Sequence, residues 1–395
     1  MKLLVLTQKI DRNDDVLGFM HGWIRKLAEH CEKITVIALG AGEYDLPKNA
    51  RVFSLGKEKK NLHTQADSFL SLRGACNQAT RQSHFLSFPR RRESRMIDGK
   101  SEDGIMNKAF IKISYAINFY KYIWRERKNY NAVFVHMNKE YVLLGGVLWK
   151  LWGKKIYLWY NHKKGNILSD IGGYLSDMIF CTSQFSYFSG NKKSKIMPVG
   201  INTALFSKDE SARKIGNSIL CLGRISPVKN IDVLIKAAKI LKGGGVDFSV
   251  GIIGGPTDYG YYKKLKDMVN DCGLTREINF MPGISNFKAP AEYNKYEICV
   301  NLTNSGSMDK TIFEAMACGL IVLASNRSLE KIFPEEFSPI MMFEEKNPDD
   351  LARKLAKALA MPRELKNKYQ AWARKYVYEN HSLEKLAEMI MNYIK

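Results

Sequence analysis

The stretch that decides the fold is Ile219-Leu-Cys-Leu-Gly-Arg-Ile-Ser-Pro-Val-Lys-Asn230, an apolar run that ends in a glycine and two basic residues. Residues 219–222 have the length and composition of a buried strand. Further along, apolar residues recur at helical spacing, at Leu234, Ile235, Ala238 and Leu241. A strand that leads through a short loop into a helix is the repeating unit of doubly wound α/β folds. Such folds bind ligands at the carboxyl ends of their strands, where this loop lies.

The loop places two fixed positive charges, Arg224 and Lys229, at this strand end. Arginine offers a fork of donors to phosphate oxygens, and lysine offers a point charge. Gly223 leaves room for close approach of a ligand. Two cations at the start of a helix oppose the helix dipole unless an anion is bound there. The loop therefore predicts a phosphate site, in preference to two merely solvated basic residues.

A second strand–loop–helix unit runs through residues 298–302, 303–308 and 309–318. Ser305, Gly306 and Ser307 can turn several N–H groups toward one point before a helix N-terminus, which is an anion-binding arrangement. Glu314 lies inside the helix among small apolar residues, so its carboxylate needs hydrogen-bond donors. A ribose diol supplies two hydroxyls, and pairing with a nearby lysine is the alternative.

The same pattern extends over the whole chain. Strand-like runs lie at residues 3–7, 34–39, 132–135, 156–159 and 178–181, and again at 219–222, 248–253, 278–281, 298–302 and 321–324. They predict two doubly wound domains with a boundary near residues 202–217. The polar segment 71–104, with Arg90-Arg91-Arg92, lacks this periodicity and predicts a flexible insertion without chemistry.

Charge is distributed unevenly over the 395 residues. The formal net charge is +21, and residues 1–200 hold 33 Lys/Arg against 17 Asp/Glu, whereas residues 201–395 hold 28 against 23. This excess predicts an anionic partner on the N-terminal half, unless it serves solubility alone. Aromatic and basic residues alternate in residues 107–130 and 141–155, which favours an anionic membrane surface over nucleic acid. Core-facing helices with solvated basic edges are the other interpretation.

Other features favour a cytoplasmic chain. No apolar run reaches the length of a membrane span, and the first residues lead directly into a strand pattern. The seven cysteines are scattered, which indicates neither a disulfide framework nor a metal site.

Several motifs together resemble those of the retaining family-4 glycosyltransferases of GT-B fold, also called glycosyltransferases group 1. They are the stretch at 222–232, the segment Met197-Pro-Val-Gly-Ile-Asn-Thr-Ala-Leu-Phe206, the stretch Phe313-Glu-Ala-Met-Ala-Cys-Gly-Leu-Ile-Val-Leu-Ala-Ser325, and the tail at 373–387. The resemblance spans nearly all of the chain except residues 57–105. It implies two Rossmann-like domains: 1–202 on the acceptor side, with 71–104 inserted, and 203–375 for the nucleotide sugar. Residues 376–395 are expected to form a helix that crosses back to the first domain.

The resemblance also implies roles for individual residues. Arg224 and Lys229 match the pair that holds the donor pyrophosphate, Glu314 matches a ribose-binding glutamate, and His162 matches a histidine near the transferred sugar. Of these residues, His162, Arg224 and Lys229 are expected to be catalytic, and Glu314 is expected to bind the donor. The remaining expected donor-binding residues are Gly18, Gly223, Gly283, Ser305, Gly306, Asp309, Lys310 and Thr311. Gly306 is a departure, because the family has a glutamate there that contacts the donor sugar.

The function so implied is hexosyl transfer with retention, from a nucleotide-diphosphate sugar to a glycan or lipid-linked acceptor of the cell envelope. No cofactor and no metal are expected, since no Asp-x-Asp motif is present. The enzyme is expected at the inner face of the cytoplasmic membrane. Two alternatives remain open: a sugar-nucleotide epimerase, which would need further acid/base carboxylates, and a non-catalytic nucleotide-sugar-binding relative, which the glycine at 306 allows.

Overall fold

The computed structural model describes residues 1–58, 102–306 and 308–394, and for residues 102–109 it describes the backbone alone. Its strands are β1 (Lys2–Ile10), β2 (Lys33–Ala41), β3 (Ala50–Ser54), β4 (Ala132–His136), β5 (Lys155–Trp159), β6 (Met178–Cys181), β7 (Ser194–Ile196), β8 (Ser218–Leu222), β9 (Ser249–Ile253), β10 (Ile278–Met281), β11 (Ile298–Asn301) and β12 (Ile321–Ala324).

The α-helices of the same residues alternate with these strands. They are α1 (Phe19–Glu29), α2 (Glu102–Arg125), α3 (Lys139–Leu151), α4 (Ile167–Leu175), α5 (Ile231–Gly243), α6 (Tyr259–Asp271), α7 (Ala289–Tyr293), α8 (Lys310–Ala317), α9 (Ser338–Met341), α10 (Pro348–Leu359), α11 (Arg363–His381) and α12 (Leu383–Ile394). Within the described residues, no helix is both long enough and apolar enough to cross a membrane.

The first sheet is parallel throughout, in the order β3-β2-β1-β4-β5-β6-β7. Its central strands are buried on both faces, as their runs of branched apolar residues require. Helices α1 and α12 cover one face, where Trp23 and Ile390 lie in the core. Helices α2 and α3 cover the other face, where Phe119 and Trp149 are buried.

The second sheet is smaller and also parallel, in the order β10-β9-β8-β11-β12. It lies in one continuous apolar core that includes Leu234 of α5 and Leu355 of α10. The strands at which the order reverses, β8 and β11, are those that lead into the two predicted anion loops. A reversal of this kind opens a crevice at the carboxyl ends of the strands.

The chain passes between the two sheets twice, at neighbouring positions. The carbonyl of His381 accepts hydrogen bonds from the N–H groups of Gly200 and Ile201, at 3.1 and 2.8 Å. Ile201 and Ser382 form a parallel bridge. Helix α12 then packs against α1 of the first domain. The exact domain boundaries given above remain predictions.

The structure departs from the sequence prediction at several element ends. Strand β1 continues to Ile10, past the predicted run at residues 3–7, because Lys9 and Ile10 still pair with β2. The edge strands β3 and β7 were not predicted, because short edge strands carry little apolar pattern. The predicted insertion 71–104 lies outside the described residues, except that its last three open α2.

Candidate functional site

A cleft of about 530 Å³ lies between the two domains, at the carboxyl ends of both parallel sheets. The first domain contributes the loop after β1 and the ends of β4 and β5. The second contributes the loops after β8, β10 and β11. Predicted site residues that line the cleft are His162, Gly223, Arg224, Lys229, Asp309, Lys310, Thr311 and Glu314. The two sheets therefore bring most of the predicted residues to one place.

The loop after β8 is built on close backbone contacts. Gly223 has a φ of 142°, which favours glycine, and a side chain at Gly254 would lie 1.9 Å from the Gly223 carbonyl oxygen. Two glycines thus allow the β8 and β9 loops to touch. Arg224 follows, exposed at the cleft and without a salt bridge in residues 1–58, 102–306 and 308–394. An unpaired guanidinium at the edge of a cleft is suited to bind an anionic group.

Lys229 is not free, which the sequence did not predict. Its ammonium forms an ion pair with Asp309 and lies 3.4 Å from the Thr303 hydroxyl. The same carboxylate oxygen of Asp309 accepts hydrogen bonds from Asn301 at 3.1 Å and Thr303 at 3.2 Å. Burial opposes ionisation of Asp309, yet Lys229 and these donors hold its pKa well below the usual range. Asp309 therefore acts as an internal counter-ion at the base of the cleft.

Asn230 ties the two predicted anion loops together. It sits in the left-handed region, with φ 47°, between a turn of 3-10 helix and α5. Its side-chain amide donates to the Leu302 carbonyl at 2.9 Å and to Asn304 at 3.1 Å. Asparagine tolerates this conformation better than most residues. The backbone next to Lys229 is thereby fixed relative to the loop after β11.

Glu314 is buried, and both of its carboxylate oxygens already have protein donors. Asn286 donates to one oxygen at 3.0 Å, and the Tyr293 hydroxyl donates to the other at 3.1 Å. Burial raises the pKa of Glu314. The protein itself therefore supplies two of the donors that this carboxylate was expected to need, from an asparagine and a tyrosine and not from a lysine. Each oxygen keeps a second lone pair, which leaves it able to accept from a ligand in the cleft.

Lys310 extends away from the β8 loop and across to the first domain. Its ammonium donates to the backbone carbonyls of Val199 at 2.5 Å and Gly200 at 3.2 Å. It also lies over the rings of Phe19 and Trp23, 4.5 and 4.6 Å from their centroids. Burial lowers its pKa. In this arrangement Lys310 joins the two domains, and its side chain reaches the cleft wall without being a free cation.

The loop at 305–306 differs from the predicted anion cradle. Ser305 donates its backbone N–H and its hydroxyl to the Glu345 carboxylate, at 2.6 and 2.5 Å. A Cβ atom added at Gly306 would lie 3.4 Å from the Lys163 side chain of the other domain. The Glu345 carboxylate thus accepts hydrogen bonds from donors that were predicted to bind a ligand. Ser307 lies outside the described residues.

Gly18 and Gly283 lie where the two domains come closest. A side chain at Gly18 would lie 2.5 Å from the Asp14 carbonyl, so the turn after β1 requires glycine. A side chain at Gly283 would lie 2.9 Å from the Asp15 carboxylate. His162 follows β5, and partial burial with the nearby charge of Lys139 lowers its pKa, which favours the neutral imidazole.

A second histidine, which was not predicted from the sequence, lies at the cleft. His136 ends β4, and its ring lies among those of Phe19, Trp23 and Trp159. Burial lowers its pKa to about 3, so it is neutral. Its place at the carboxyl end of a predicted strand was the signal that could have identified it. Asn286 and Tyr293, the partners of Glu314, follow no such pattern.

Two parallel α/β domains that face each other across a cleft define the GT-B class of fold, and solved structures share it. HepE from Anabaena, in complex with UDP, matches with a TM-score of 0.70 over 100% of this chain and 99% of its own, at 12% identity. Sucrose-phosphate synthase from Thermosynechococcus elongatus matches with a TM-score of 0.70 over 100% and 98%, at 14% identity. At such low identity the likeness shows the fold.

Sequence comparison matches the second domain to a protein family. Residues 204–376 match the model of the "Glycosyl transferases group 1". The GDP-mannose-dependent alpha-(1-6)-phosphatidylinositol monomannoside mannosyltransferase of Mycolicibacterium smegmatis is 28% identical over 155 residues, which are 35% of this chain and 40% of that protein. The D-inositol 3-phosphate glycosyltransferase of Mycobacteroides abscessus is 32% identical over 106 residues, 26% of this chain and 23% of that one.

These matches cover two fifths or less of those relatives' own length. The chain therefore has the GT-B fold, and its second domain matches the family model of the group 1 glycosyl transferases.

Proposed function

We propose that this protein transfers a hexosyl group from a nucleotide-diphosphate sugar to a glycan or lipid-linked acceptor, with retention of configuration. The observation that carries the proposal is the Arg224 guanidinium, which has no ion pair in the described part of the chain and lies beside Lys229 in a cleft shared by both domains. Two fixed cations at this position are suited to a diphosphate. The family of the second domain and the UDP complex of HepE support a nucleotide sugar as donor.

The reaction needs stabilisation of a leaving diphosphate. Charge that develops on this group is stabilised by preorganised donors, and Lys229 is held in place by Asp309 before a donor binds. Lys229 is already paired with Asp309, so the diphosphate shares this cation with a protein carboxylate. The N-terminus of α8 is capped by Asp309 as well. We therefore assign the larger part of the stabilisation to Arg224, and propose that no metal ion is required.

Glu314 and His162 are assigned to the nucleoside and the sugar. The remaining lone pairs of Glu314 would accept from a ribose diol, with Asn286 and Tyr293 fixing the carboxylate. His162, neutral and at the acceptor-side rim, would lie near the transferred sugar. The glycine at 306, covered by Lys163, leaves recognition of the donor sugar to other residues.

The charge of the first domain supports a place at the cytoplasmic membrane. Residues 1–200 carry nearly twice as many basic as acidic residues, and anionic lipid attracts such a domain. We propose a peripheral protein at the inner face of that membrane, with no nucleic-acid partner.

Release of nucleoside diphosphate from a panel of nucleotide sugars tests the proposal. The full chain is incubated with each donor, with and without an extract of bacterial lipids, and both the diphosphate and any glycosylated product are identified. Diphosphate release with one donor, and a product that keeps the anomeric configuration, is the expected result. Recovery of an epimerised sugar nucleotide, or binding without release for every donor, would overturn it.

A further inference from the structure

One side of the first domain exposes apolar side chains along a helix. On α2, the exposed residues are between 39% and 67% accessible: Phe110, Ile113, Ile117, Tyr120 and Trp124. Their intervals of three and four residues place them on one face. Phe119 and Ile123, on the opposite face, are buried against the sheet. Helix α2 therefore has a second apolar face directed outward, whereas a surface helix ordinarily presents polar residues to water.

The neighbouring helices continue this outward face. Tyr120 donates a hydrogen bond to the Leu144 carbonyl at 3.1 Å, and the rings of Trp124 and Trp152 lie 5.6 Å apart, so α2 and α3 are adjacent. Helix α4 packs beside α3. Their exposed apolar residues are Leu144, Val147 and Leu151 on α3, and Ile167, Leu168, Ile171 and Tyr174 on α4. We call these residues, with those of α2, the α2–α4 face.

The charges around the α2–α4 face are predominantly positive. Residues 110–125 contain no aspartate or glutamate, and residues 102–200 hold 15 Lys/Arg against six Asp/Glu. Lys112, Lys121, Lys128 and Lys155 are exposed and have no salt bridge in the described part of the chain. Aliphatic residues with tyrosine, tryptophan and uncompensated lysines form the combination that lies in the interface of an anionic bilayer.

We infer that the α2–α4 face docks on an anionic lipid leaflet, with its apolar side chains inserted at the level of the headgroups. A second copy of this chain fits less well, because an isologous contact would bring the same lysines face to face. Lipid headgroups provide the opposite charge and the acyl boundary provides the apolar phase. No membrane-spanning segment is needed for such docking.

The position of this face adds a consequence for the acceptor. Helix α4 begins only five residues after His162, and the loop between them starts at the rim of the cleft. A protein docked in this way presents that rim to the leaflet. An acceptor whose lipid anchor stays in the membrane would then reach the cleft. This last step rests on the proposed glycosyl transfer, whereas the docking itself does not.

Co-sedimentation of the full chain with vesicles tests the docking. The vesicles consist of phosphatidylcholine alone or with increasing phosphatidylglycerol, at low and high salt. The variants are Ile117→Glu and Val147→Glu, and the matched control is Ile240→Glu, an exposed apolar residue on α5 of the other domain. All three positions are exposed, and thermal melting checks that each variant folds. Diphosphate release from a nucleotide sugar is measured without vesicles on the same samples.

Binding should increase with phosphatidylglycerol and weaken at high salt. Loss of one inserted aliphatic side chain should lower the partition coefficient roughly tenfold or more, and Lys121→Gln should lower it about fivefold. Ile240→Glu should bind as the wild type does.

Equal binding to neutral and anionic vesicles, or none to either, overturns the inference, as does an equal loss in the Ile240 control. So does a dimer in solution that Ile117→Glu dissociates, or vesicle binding that appears only after residues 59–101 are deleted. Diphosphate release without vesicles should proceed at the wild-type rate in all three glutamate variants. This measurement separates a failure of docking from a failure of the proposed function.

Discussion

Replacement of Asp309 by Asn tests the ion pair at the base of the cleft. The side chains of Asp309 and Lys229 are each 18% exposed, so the pair lies between surface pairs, which contribute up to about 1 kcal/mol, and buried pairs, whose disruption costs about 3–5 kcal/mol. Asparagine keeps the size and the helix-capping capacity, but leaves the ammonium of Lys229 without its counter-charge. We expect the free energy of unfolding to fall by about 2 kcal/mol.

Thermal melting of the full chain measures this change, with Asp258→Asn as control. Asp258 also caps a helix of the second domain, α6, through the Tyr261 N–H at 2.9 Å, and has no ion pair among the described residues. A loss of about 2 kcal/mol corresponds to a shift of roughly 4–8 °C for a domain of this size. Lys229→Met combined with Asp309→Asn should recover part of it, because neither charge remains. A nucleoside diphosphate should raise the melting temperature of Asp309→Asn more than that of the wild type, since it replaces the missing anion.

Two results would refute this reasoning. If Asp309→Asn and Asp258→Asn melt at the same temperature, the ion pair stabilises nothing. The double variant could also melt below Asp309→Asn alone, and then the unpaired ammonium is not the source of the loss.

Three further expectations concern the cleft. Arg224→Ala should lower turnover about a hundredfold at saturating donor. The control Arg276→Ala, at an exposed position, should turn over at the wild-type rate. Equal rates in the two variants would remove Arg224 from the diphosphate site. Glu314→Gln should weaken donor binding, measured by calorimetry, while the melting temperature stays near that of the wild type; early melting with normal binding would make the residue structural. His136 is neutral in the folded protein, and on acidification the unfolded chain takes up the proton first. Acidification from about pH 6.5 to about pH 4 should therefore lower the free energy of unfolding by up to about 1.4 kcal/mol per pH unit. The melting temperature of His136→Phe should fall less on acidification than that of the wild type, and an equal fall would count against this assignment.

The sequence predicted the fold because its signals are local. The composition of residues 219–222 and 298–301 alone predicts buried parallel strands. The loop at Gly223 and Arg224 comes directly after the first of these strands. Edge strand β7, three residues long and mostly polar, carries no comparable signal. Its pairing with β6 is imposed by the neighbouring strand.

The contacts of the site were much less predictable, because they join residues far apart in the chain. Lys229 and Asp309 are eighty positions apart, and Lys310 reaches Val199 over 111. No spacing rule relates such residues, and only the packing of the two domains brings them together. Lys310 is an expected donor-binding residue because it stands in the motif. Its side chain instead contacts an aromatic ring and backbone carbonyl oxygens of the other domain.

The adjacent crossings at Ile201 and Ser382 determine how this molecule can be recombined. The second domain is an insertion into the first in topological terms, since the chain leaves the first domain, builds the second, and returns to complete the first with α12. A chimaera that exchanges donor domains between relatives therefore needs two splice points, one at each crossing. A single junction near residue 200 would transplant α12 together with the foreign domain and leave α1 packed against a helix from a different parent.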